Sequence, residues 1–373
     1  MNLISSDNKI LKTLSFLIAI IPISLLSGSL IINIVTILIC LIFIVEILTN
    51  RKTSFFFDWS FFLLLFLWSS FVINLFFSQD SYLSASRVIG FVRFIFLAYS
   101  IKYIFSYKNQ VYKNFILKIW LIIFIIVSCD LLYEYFMGRN ILGYQSNLDG
   151  RLASFLGEEL KIGGYYFGFC LISLATIYYL FKKDYRIFFV FVIIFLNISF
   201  LTGERSNFLK ILISILIILI FYFREHKTKV LSLVLLCSLT FLSIVYKNDD
   251  LKYRYLVQWN KENISENIYL THYKTAIFVF KKYPIFGSGI KNFRIEVRKI
   301  INENHKDNNT YNNWQVITTH PHQVNFEILA ETGLFGYVCF LIFFIVTFFK
   351  AFKKLLRESN ILLLVSTVFC LIY

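Results

Sequence analysis

The residues best suited to chemistry lie in the segment 319–323, which reads Thr-His-Pro-His-Gln and closes a long polar stretch. Almost unbroken helix-forming sequence follows from residue 324 to 349, so His322 is expected at the membrane surface near the positive end of a helix. An imidazole titrates near neutral pH, which suits a general base that takes a proton from an attacking hydroxyl. A solvated loop histidine is the alternative on residue type alone.

A zinc site is another use of paired histidines. His320 and His322 would need further ligands, and their segment offers no cysteine and no clear third ligand. We therefore expect no metal here. The histidines at positions 272 and 305 are interpreted as loop residues.

A second set of candidates consists of arginines on the outer side. The positive-inside rule, by which Lys- and Arg-rich loops orient a membrane protein, does not account for them. Arg205 lies in a hairpin, residues 201–207, between two very apolar stretches. A charge at such a site costs free energy unless it is paired, so we favour a functional role. Its neighbour Glu204 offers the alternative of a local ion pair that caps a helix start.

Three further arginines share this outer location. Arg151 precedes a glycine-rich helix start, and Arg87 and Arg93 flank the outer end of the predicted fourth span. Arg93 is deep enough in that span that it should face the other helices, not lipid. Several guanidinium groups at one face suit a diphosphate, because the planar fork binds phosphate oxygens in pairs. For any single one, a snorkelling or loop charge is the alternative.

Glycines mark two further segments. Gly333 and Gly336 are three residues apart, a spacing that lets another helix or a lipid tail approach closely. The segment 284–293 is predicted to be a Pro-Gly turn before an amphipathic helix. Its Gly-Ser-Gly at 287–289 lacks the strand and the spacing of a nucleotide site, which indicates a structural turn.

Composition defines the broad class. Hydrophobic residues make up 58% of the 373 residues, the mean hydropathy is +0.70, and there are three prolines. Apolar runs of about 17–25 residues recur along the chain, as in a polytopic helical membrane protein. The net charge of +15 would suggest nucleic acid for a soluble protein. Most basic residues lie in short loops that orient a membrane protein, so no nucleic-acid partner is expected.

The apolar runs predict the membrane spans. The predicted ranges are 11–28, 30–48, 59–77, 88–106, 115–136, 162–181, 187–202, 206–223, 229–246 and 324–349, with an eleventh that begins at Ile361. That last run, residues 361–373, is shorter than the roughly 20 residues that cross a bilayer. It favours a truncated C-terminus over a partial helix.

Basic residues alternate between the connections. By the positive-inside rule, the Lys- and Arg-rich connections and the N-terminus are cytoplasmic. They lie at residues 51–52, 102–113, 182–186, 224–229 and 350–357. The opposite face then holds a tight turn near Ser27-Gly28 and the segments 78–87, 137–161, 201–206 and 247–321. We expect a single membrane domain over residues 1–373, with 247–321 as one large outer (periplasmic) loop.

Two of these motifs resemble a known family. His322-Gln323, followed after nine residues by Gly333-x-x-Gly336, resembles the signature of bacterial O-antigen ligases. The hairpin 202–205 (Thr-Gly-Glu-Arg) is similar to the arginine turn of the same superfamily, which includes O-antigen polymerases and protein O-oligosaccharyltransferases. The segments 151–164 and 284–293 are also similar. Together they cover the chain from about residue 140 to 350.

The resemblance implies an all-α, C-type glycosyltransferase of about 11–12 transmembrane helices in the bacterial inner membrane, with its active site facing the periplasm. The donor would be a glycan on undecaprenyl diphosphate and the acceptor a sugar hydroxyl of lipid A-core or another glycan, with no cofactor or metal. Arg205 would bind the diphosphate, and His322 would be the base or orienting group. The remaining candidates would bind substrate: Arg151, Arg87, Arg93, Gln323, Gly333 and Gly336. The family usually has a small residue where this chain has Glu204.

Two alternatives stay open at this point. A polymerase that joins lipid-linked repeat units would use the same parts, although one dominant outer loop favours a ligase. A transporter or lipid flippase predicts inverted repeats and polar residues at the midplane. The chain shows no repeat, and its polar residues gather at the outer face, with Asp130 as an exception near the middle of a span.

Overall fold

The chain folds into helices throughout the part that its structure, a computed structural model, describes. The described residues are 3–51, 53–56, 58–107, 110–159, 161–257, 268–306, 318–358 and 360–372. Within these ranges there are helices, turns and bends but no β-strand. The all-α fold class predicted from the apolar runs is confirmed.

The α-helices follow one another along the chain with short turns between most of them. In order they are α1 Leu3–Ala19, α2 Ile21–Leu26, α3 Ser29–Thr49, α4 Trp59–Phe76, α5 Ser81–Ser106, α6 Val111–Met137, α7 Ile162–Leu180, α8 Tyr185–Leu201, α9 Arg205–Tyr222, α10 Lys227–Lys247, α11 Asp249–Lys252, α12 Ile268–Lys282, α13 Phe293–Lys306, α14 Val324–Arg357 and α15 Ile361–Ile372. Short 3₁₀ turns lie at Thr53–Phe56, Ser154–Glu159 and Arg224–His226, and a π-helical turn at Tyr253–Val257.

Eight of the described helical segments are long and apolar enough to cross a membrane. They are Ser29–Thr49, Trp59–Phe76, Ser81–Ser106, Val111–Met137, Ile162–Leu180, Arg205–Tyr222, Arg224–Lys247 and Val324–Arg357. Two shorter apolar helices, α8 and α15, coincide with two further predicted spans. The protein is therefore a multi-pass membrane protein, as the hydropathy pattern predicted.

The first predicted span, residues 11–28, is two helices and not one. Helix α1 ends at Ala19, and α2 starts at Ile21 with Pro22 in its first turn. Proline has no backbone N–H to donate to the preceding turn and its ring clashes there, so a helix starts anew around it.

Contacts within the chain separate it into two compact units. The first unit comprises residues 1–46, 100–260 and 348–373, and the second comprises 47–99 and 261–347. The predicted outer loop, 247–321, is shared between them, with 247–260 in the first unit and 261–321 in the second. A single membrane domain with this segment as a periplasmic insertion stays a prediction.

The core of the first unit is centred on α7. This helix is the most enclosed of the candidate spans, and it packs among α6, α8, α9 and α15. Aromatic rings fill the space between helices: Phe124 of α6 lies 4.6 Å from Tyr166 of α7 and 4.9 Å from Phe195 of α8, measured between ring centroids. Tilted and edge-to-face ring contacts of this kind stabilise helix packing in a membrane. They matter there because the hydrophobic effect does not drive apolar helices together in lipid.

The second unit holds helices α12 and α13 against the start of α14. A small apolar cluster joins the three helices, with Ala276 and Val279 from α12, Phe293 and Val297 from α13, and Ala330 from α14. The fully buried carboxylate of Glu296 adds ion pairs with Lys282 at 3.1 Å and Lys299 at 2.6 Å. Although burial raises the pKa of Glu296, its hydrogen bonds to these two lysines lower it overall.

The expected continuous helix over 324–349 is wrong at one residue, Gly333. Its backbone is left-handed, with φ 64° and ψ −168°, and splits α14 into two helices. The turn 284–289 fits into the break. Leu334 N donates to Pro284 O at 2.9 Å and Phe335 N to Ile285 O at 3.0 Å, while Ser288 N and Gly289 N donate to the carbonyls of residues 330 and 331. The turn thus satisfies backbone groups that the break leaves exposed.

This turn needs glycine on both sides. A Cβ on Gly287 or Gly333 would collide with the opposing backbone, and both residues have positive φ angles. From α4, the buried side chain of Asn74 donates to Glu331 O at 3.1 Å and to Phe286 O, and accepts from Ile290 N at 3.2 Å. The prediction of a structural turn at 287–289 is confirmed. The element that approaches Gly333 is that turn, where a helix or a lipid tail was expected.

Candidate active site

Two buried carboxylates of α6 hold the loop that carries Arg151. Glu134 accepts from Ala153 N at 2.8 Å and from Ser154 N at 2.7 Å. Asp130, one turn earlier, accepts from the Ser154 hydroxyl at 2.6 Å and from Ile141 N, near the start of the same loop, at 2.9 Å. Asp130, the polar residue near the middle of a predicted span, therefore anchors the loop that follows α6.

Glu204 connects the Arg151 loop with the hairpin before α9. Its carboxylate accepts from Gly163 N at the first turn of α7 at 2.8 Å and from the Asn207 amide at 2.7 Å, and it pairs with Arg151 at 3.5 Å. It makes no side-chain capping bond to α9, the helix it precedes. Glu204 therefore caps the start of α7 and not the helix that it precedes.

The Arg205 hairpin is packed directly against the same loop. Leu152 N donates to Thr202 O at 3.2 Å. Gly203 has φ +69°, and a Cβ there would run into the carbonyl of Gly150. Glycine is required at this position because no side chain fits between the two backbones. Arg151 and Arg205 are thereby carried by loops in mutual contact.

A third arginine, Arg254, completes this cluster and was missed in the sequence. It lies in the π-helical turn 253–257, where its Nε donates to Gly203 O and its own carbonyl accepts from Arg205 at 3.4 Å. The next residue, Tyr255, fixes the turn by donating to Phe200 O at 2.9 Å. The sequence contained a signal for Arg254, because it is an arginine in a segment predicted to lie on the outer face. That criterion selected Arg205 but was not extended to Arg254.

The electrostatics of this arginine cluster (Arg151, Arg205 and Arg254) favour an anionic ligand. Burial lowers the pKa of Arg254, and the positive charges of Arg151 and Arg205 lower it further. Guanidinium groups that repel one another are stabilised when a multiply charged anion binds among them. Planar forks from three chain segments can bind several phosphate oxygens at once.

The second unit holds the histidine segment. His322 has a left-handed backbone, with φ +60°, and its side chain is exposed, whereas Pro321 before it is buried. Histidine tolerates this conformation better than most residues, and such strained positions cluster at functional sites. Gln323 directly precedes α14, and its side-chain oxygen accepts from Phe326 N at 2.8 Å. The predicted substrate-binding residue Gln323 is thus also a helix cap.

Three histidine rings gather here. The ring centroid of His322 lies 4.2 Å from that of His320 and 5.3 Å from that of His272, and the Thr319 hydroxyl lies 2.9 Å from His320 Nδ1. His272 is buried in α12, so its interpretation as a loop residue is wrong. Among the described residues, no group of three or more His, Cys, Asp or Glu side chains is arranged to hold a metal ion.

The pKa of His322 suits a base. Partial desolvation by neighbouring groups lowers it below the ordinary 6.5, the charge of His320 lowers it further, and Glu327 partly offsets both. Burial also lowers the pKa of His272, with contributions from His322 and His320. At neutral pH, His322 is therefore mostly the uncharged imidazole that can accept a proton.

A cavity of about 320 Å³ lies beside this segment in the second unit. Phe71, Phe91 and Phe94 line its apolar part, and Arg87 and Glu327 are among its polar lining residues. Val324, two residues after His322, also lines it. Arg87 and the histidine segment, widely separated in the sequence, are thus brought to one region.

The remaining candidates lie outside both groups of polar residues. Arg93 is half-buried, with its guanidinium carbon 4.9 Å from the ring centroid of Phe94, and it does not line the cavity. Gly336 is buried, and a Cβ there would meet the side chain of Thr332. The structure therefore joins Arg151 with Arg205 in the first unit. In the second unit, Arg87 lines a cavity together with Val324, two residues after His322.

The fold and these sites define a multi-pass helical membrane protein with a basic cluster in one unit and an imidazole cluster in the other. Residues 189–341 match the family model described as O-antigen ligase, so this part of the chain is similar to that superfamily. The match includes Arg205, Arg254, His322 and both signature glycines, while Arg87, Arg93 and Arg151 precede it. No curated protein matches the chain in sequence.

The match confirms the resemblance drawn from the His–Gly motif and the arginine hairpin. It supports an activity of the O-antigen ligase or polymerase type, which is that of a glycosyltransferase-like membrane enzyme.

Proposed function

We propose that this protein transfers a polysaccharide from undecaprenyl diphosphate to a sugar hydroxyl of lipid A-core at the outer face of the bacterial inner membrane. The observation that carries the proposal is the convergence of Arg151, Arg205 and Arg254 from three separate segments of the first unit. No metal is needed in this mechanism, because the arginines supply the positive charge.

The arginine cluster would bind the donor diphosphate. As the anomeric carbon is attacked, its bond to the diphosphate oxygen breaks and the lipid diphosphate leaves with the electron pair. The guanidinium groups then stabilise the developing negative charge. This stabilisation is strong because the groups are already in position before the reaction. Glu204 keeps Arg151 in position through the 3.5 Å ion pair.

His322 would take the proton from the acceptor hydroxyl as its oxygen attacks. Its lowered pKa keeps it uncharged at neutral pH, and its side chain is exposed and can meet a substrate. The proton ends on the imidazole, and the new glycosidic bond forms at the acceptor oxygen.

The cavity beside the histidine segment would receive the glycolipid acceptor. Its phenylalanine side chains Phe71, Phe91 and Phe94 offer an apolar surface for lipid, and Glu327 and Arg87 offer hydrogen-bonding groups for a sugar or its phosphate. Such a division between apolar and polar walls matches a molecule that is part lipid and part glycan.

The experiment that tests this function is analysis of the glycolipids in cells that lack the protein. Long polymerised glycan left on the carrier, together with bare lipid A-core, is the expected result for a ligase. Accumulation of lipid A-core capped with a single repeat unit would instead show a polymerase that joins lipid-linked units. Unchanged glycolipids would contradict both assignments and favour a transporter or flippase.

A further inference from the structure

A second cavity, of about 200 Å³, opens beside Arg151 in the first unit. Its lining comes from the end of α6, the loop that follows α6, and the chain after α10. The side chains that line it include those of Tyr135, Gln145, Asp149, Arg151 and Asp250.

The walls of this cavity are held by contacts between segments distant in sequence. Gly150 has φ +68°, and a Cβ there would lie 3.1 Å from Asp250 O, so the loop and the chain after α10 touch at this point. Leu251 N donates to the Asn248 side chain at 2.9 Å, which orders the turn that carries Asp250. Glu134 holds the loop from the other side. The cavity is therefore built into the fold.

The chemistry of the lining suits a sugar. Asp149 and Asp250 are exposed, and their carboxylates accept strong hydrogen bonds from hydroxyl groups. Gln145 can both donate and accept, and the half-buried ring of Tyr135 offers an apolar body with a polar tip. Two carboxylates repel a second anion, so the cavity disfavours a further phosphate and favours a neutral group with many hydroxyls.

We infer that this cavity holds the sugar residue bonded directly to the donor diphosphate. Arg151 belongs both to the cavity lining and to the arginine cluster. A diphosphate on the arginines therefore places its first sugar beside Asp149 and Asp250. This assignment rests on the proposed function, since it names the part of the donor that the first unit binds next to the diphosphate.

The test compares two lipids on the purified full-length protein in nanodiscs. One is undecaprenyl diphosphate, and the other is the carrier-linked glycan extracted from cells that lack the protein. The variant Asp149→Asn/Asp250→Asn keeps the shape of both side chains and removes their charge. Asp249→Asn is the matched control, because Asp249 is exposed and adjacent to Asp250 but does not line the cavity.

The double variant is expected to bind the glycan-bearing lipid about tenfold more weakly, since two charge-assisted hydrogen bonds are reduced to neutral ones. Its affinity for undecaprenyl diphosphate should stay equal or rise, because two negative charges near the diphosphate are gone. Asp249→Asn should bind both lipids as the wild type does.

Other results would overturn the inference. An equal loss for both lipids, or no loss for either, would show that the carboxylates do not contact the sugar. If the wild-type protein binds undecaprenyl diphosphate but gains nothing from the glycan, the inference alone fails. If the wild type binds neither lipid, the proposed function fails with it.

Discussion

Arg254 is held in place by a hydrogen bond and is repelled by the positive charges of two neighbouring arginines. Its Nε donates to Gly203 O, while its pKa is lowered first by burial and then by Arg151 and Arg205. A conformation that holds like charges together costs free energy in the absence of a ligand. The cluster therefore gains more from a bound diphosphate than isolated surface arginines would.

Replacing Arg254 tests whether the cluster acts in transfer. Arg254→Ala and Arg205→Ala should each lower the rate of glycan transfer by about 100-fold, as when one preorganised donor is removed from a charged transition state. The measurement is transfer by the purified protein to an acceptor glycolipid. Lys252→Ala, an exposed basic residue two positions before Arg254, should keep wild-type transfer. Full activity of Arg254→Ala would remove that residue from the mechanism.

His322 is expected to produce a pH dependence with an acid limb. Only the uncharged imidazole accepts a proton, so the transfer rate should fall as the pH drops through the pKa of His322, which lies below 6.5. His322→Ala should lower the rate by about 100-fold or more without loss of membrane insertion. Transfer close to that of the wild type would exclude His322 as the base.

Replacing His320 should move the acid limb of the pH–rate profile in a defined direction. A positive charge on His320 lowers the pKa of His322, so His320→Ala should raise that pKa and move the acid limb to higher pH. The measurement is the pH–rate profile of the variant beside that of the wild type. A limb that stays in place, or moves to lower pH, would show that His322 does not control it.

At the scale of elements, the broken helix α14 is the feature that shapes the second unit. The turn 284–289 enters the break at Gly333 and exchanges backbone hydrogen bonds with both of its halves. Asn74 joins α4 to the same point. The short N-terminal half of α14, which starts beside His322, is thereby held at a fixed place against α12, α13 and α4.

Substituting the glycines of this junction should destabilise the protein. Gly287→Ala and Gly333→Ala place a Cβ against opposing backbone at positive φ, which costs about 1–3 kcal/mol in strain before any clash is counted. The thermal midpoint in detergent should fall by several degrees. Gly90→Ala is the matched control in the same unit, because its helical backbone has open space around the Cβ. Equal midpoints for all three variants would contradict this account of the turn.

At the scale of the whole molecule, the distribution of basic residues predicts the orientation. A cysteine at Thr319, in a protein whose native cysteines are replaced, should react with a membrane-impermeant thiol reagent applied from the periplasm. A cysteine at Lys353 should react only after the inner membrane is opened; both positions are exposed. Labelling of both from the same side would contradict the predicted topology.

Metal independence is tested on the whole enzyme. If arginines alone neutralise the leaving diphosphate, transfer by the purified protein should be unchanged after treatment with EDTA. A loss of activity that added Mg²⁺ or Mn²⁺ restores would show that a divalent cation takes part, and the mechanism would have to include it.

The class of this protein could be predicted from the sequence because hydropathy is a local property. A run such as residues 29–49 must be a helix in lipid whatever surrounds it, since its backbone groups have no other partners. The family resemblance was likewise local, carried by the spacing from His322 to Gly336 and by the hairpin at Arg205, and residues 189–341 match the family model. These features required no knowledge of which helices touch.

Only the tertiary structure decided how the sites are assembled. Arg254 joins Arg205 through a bond to Gly203, and His272 lies beside His322, in each case across about 50 residues of chain. Glu204 caps α7 and not its own helix, and the break at Gly333 depends on the turn at 284–289. Periodicity and local propensity contain no information about such partners, because each contact forms only when distant segments are packed together.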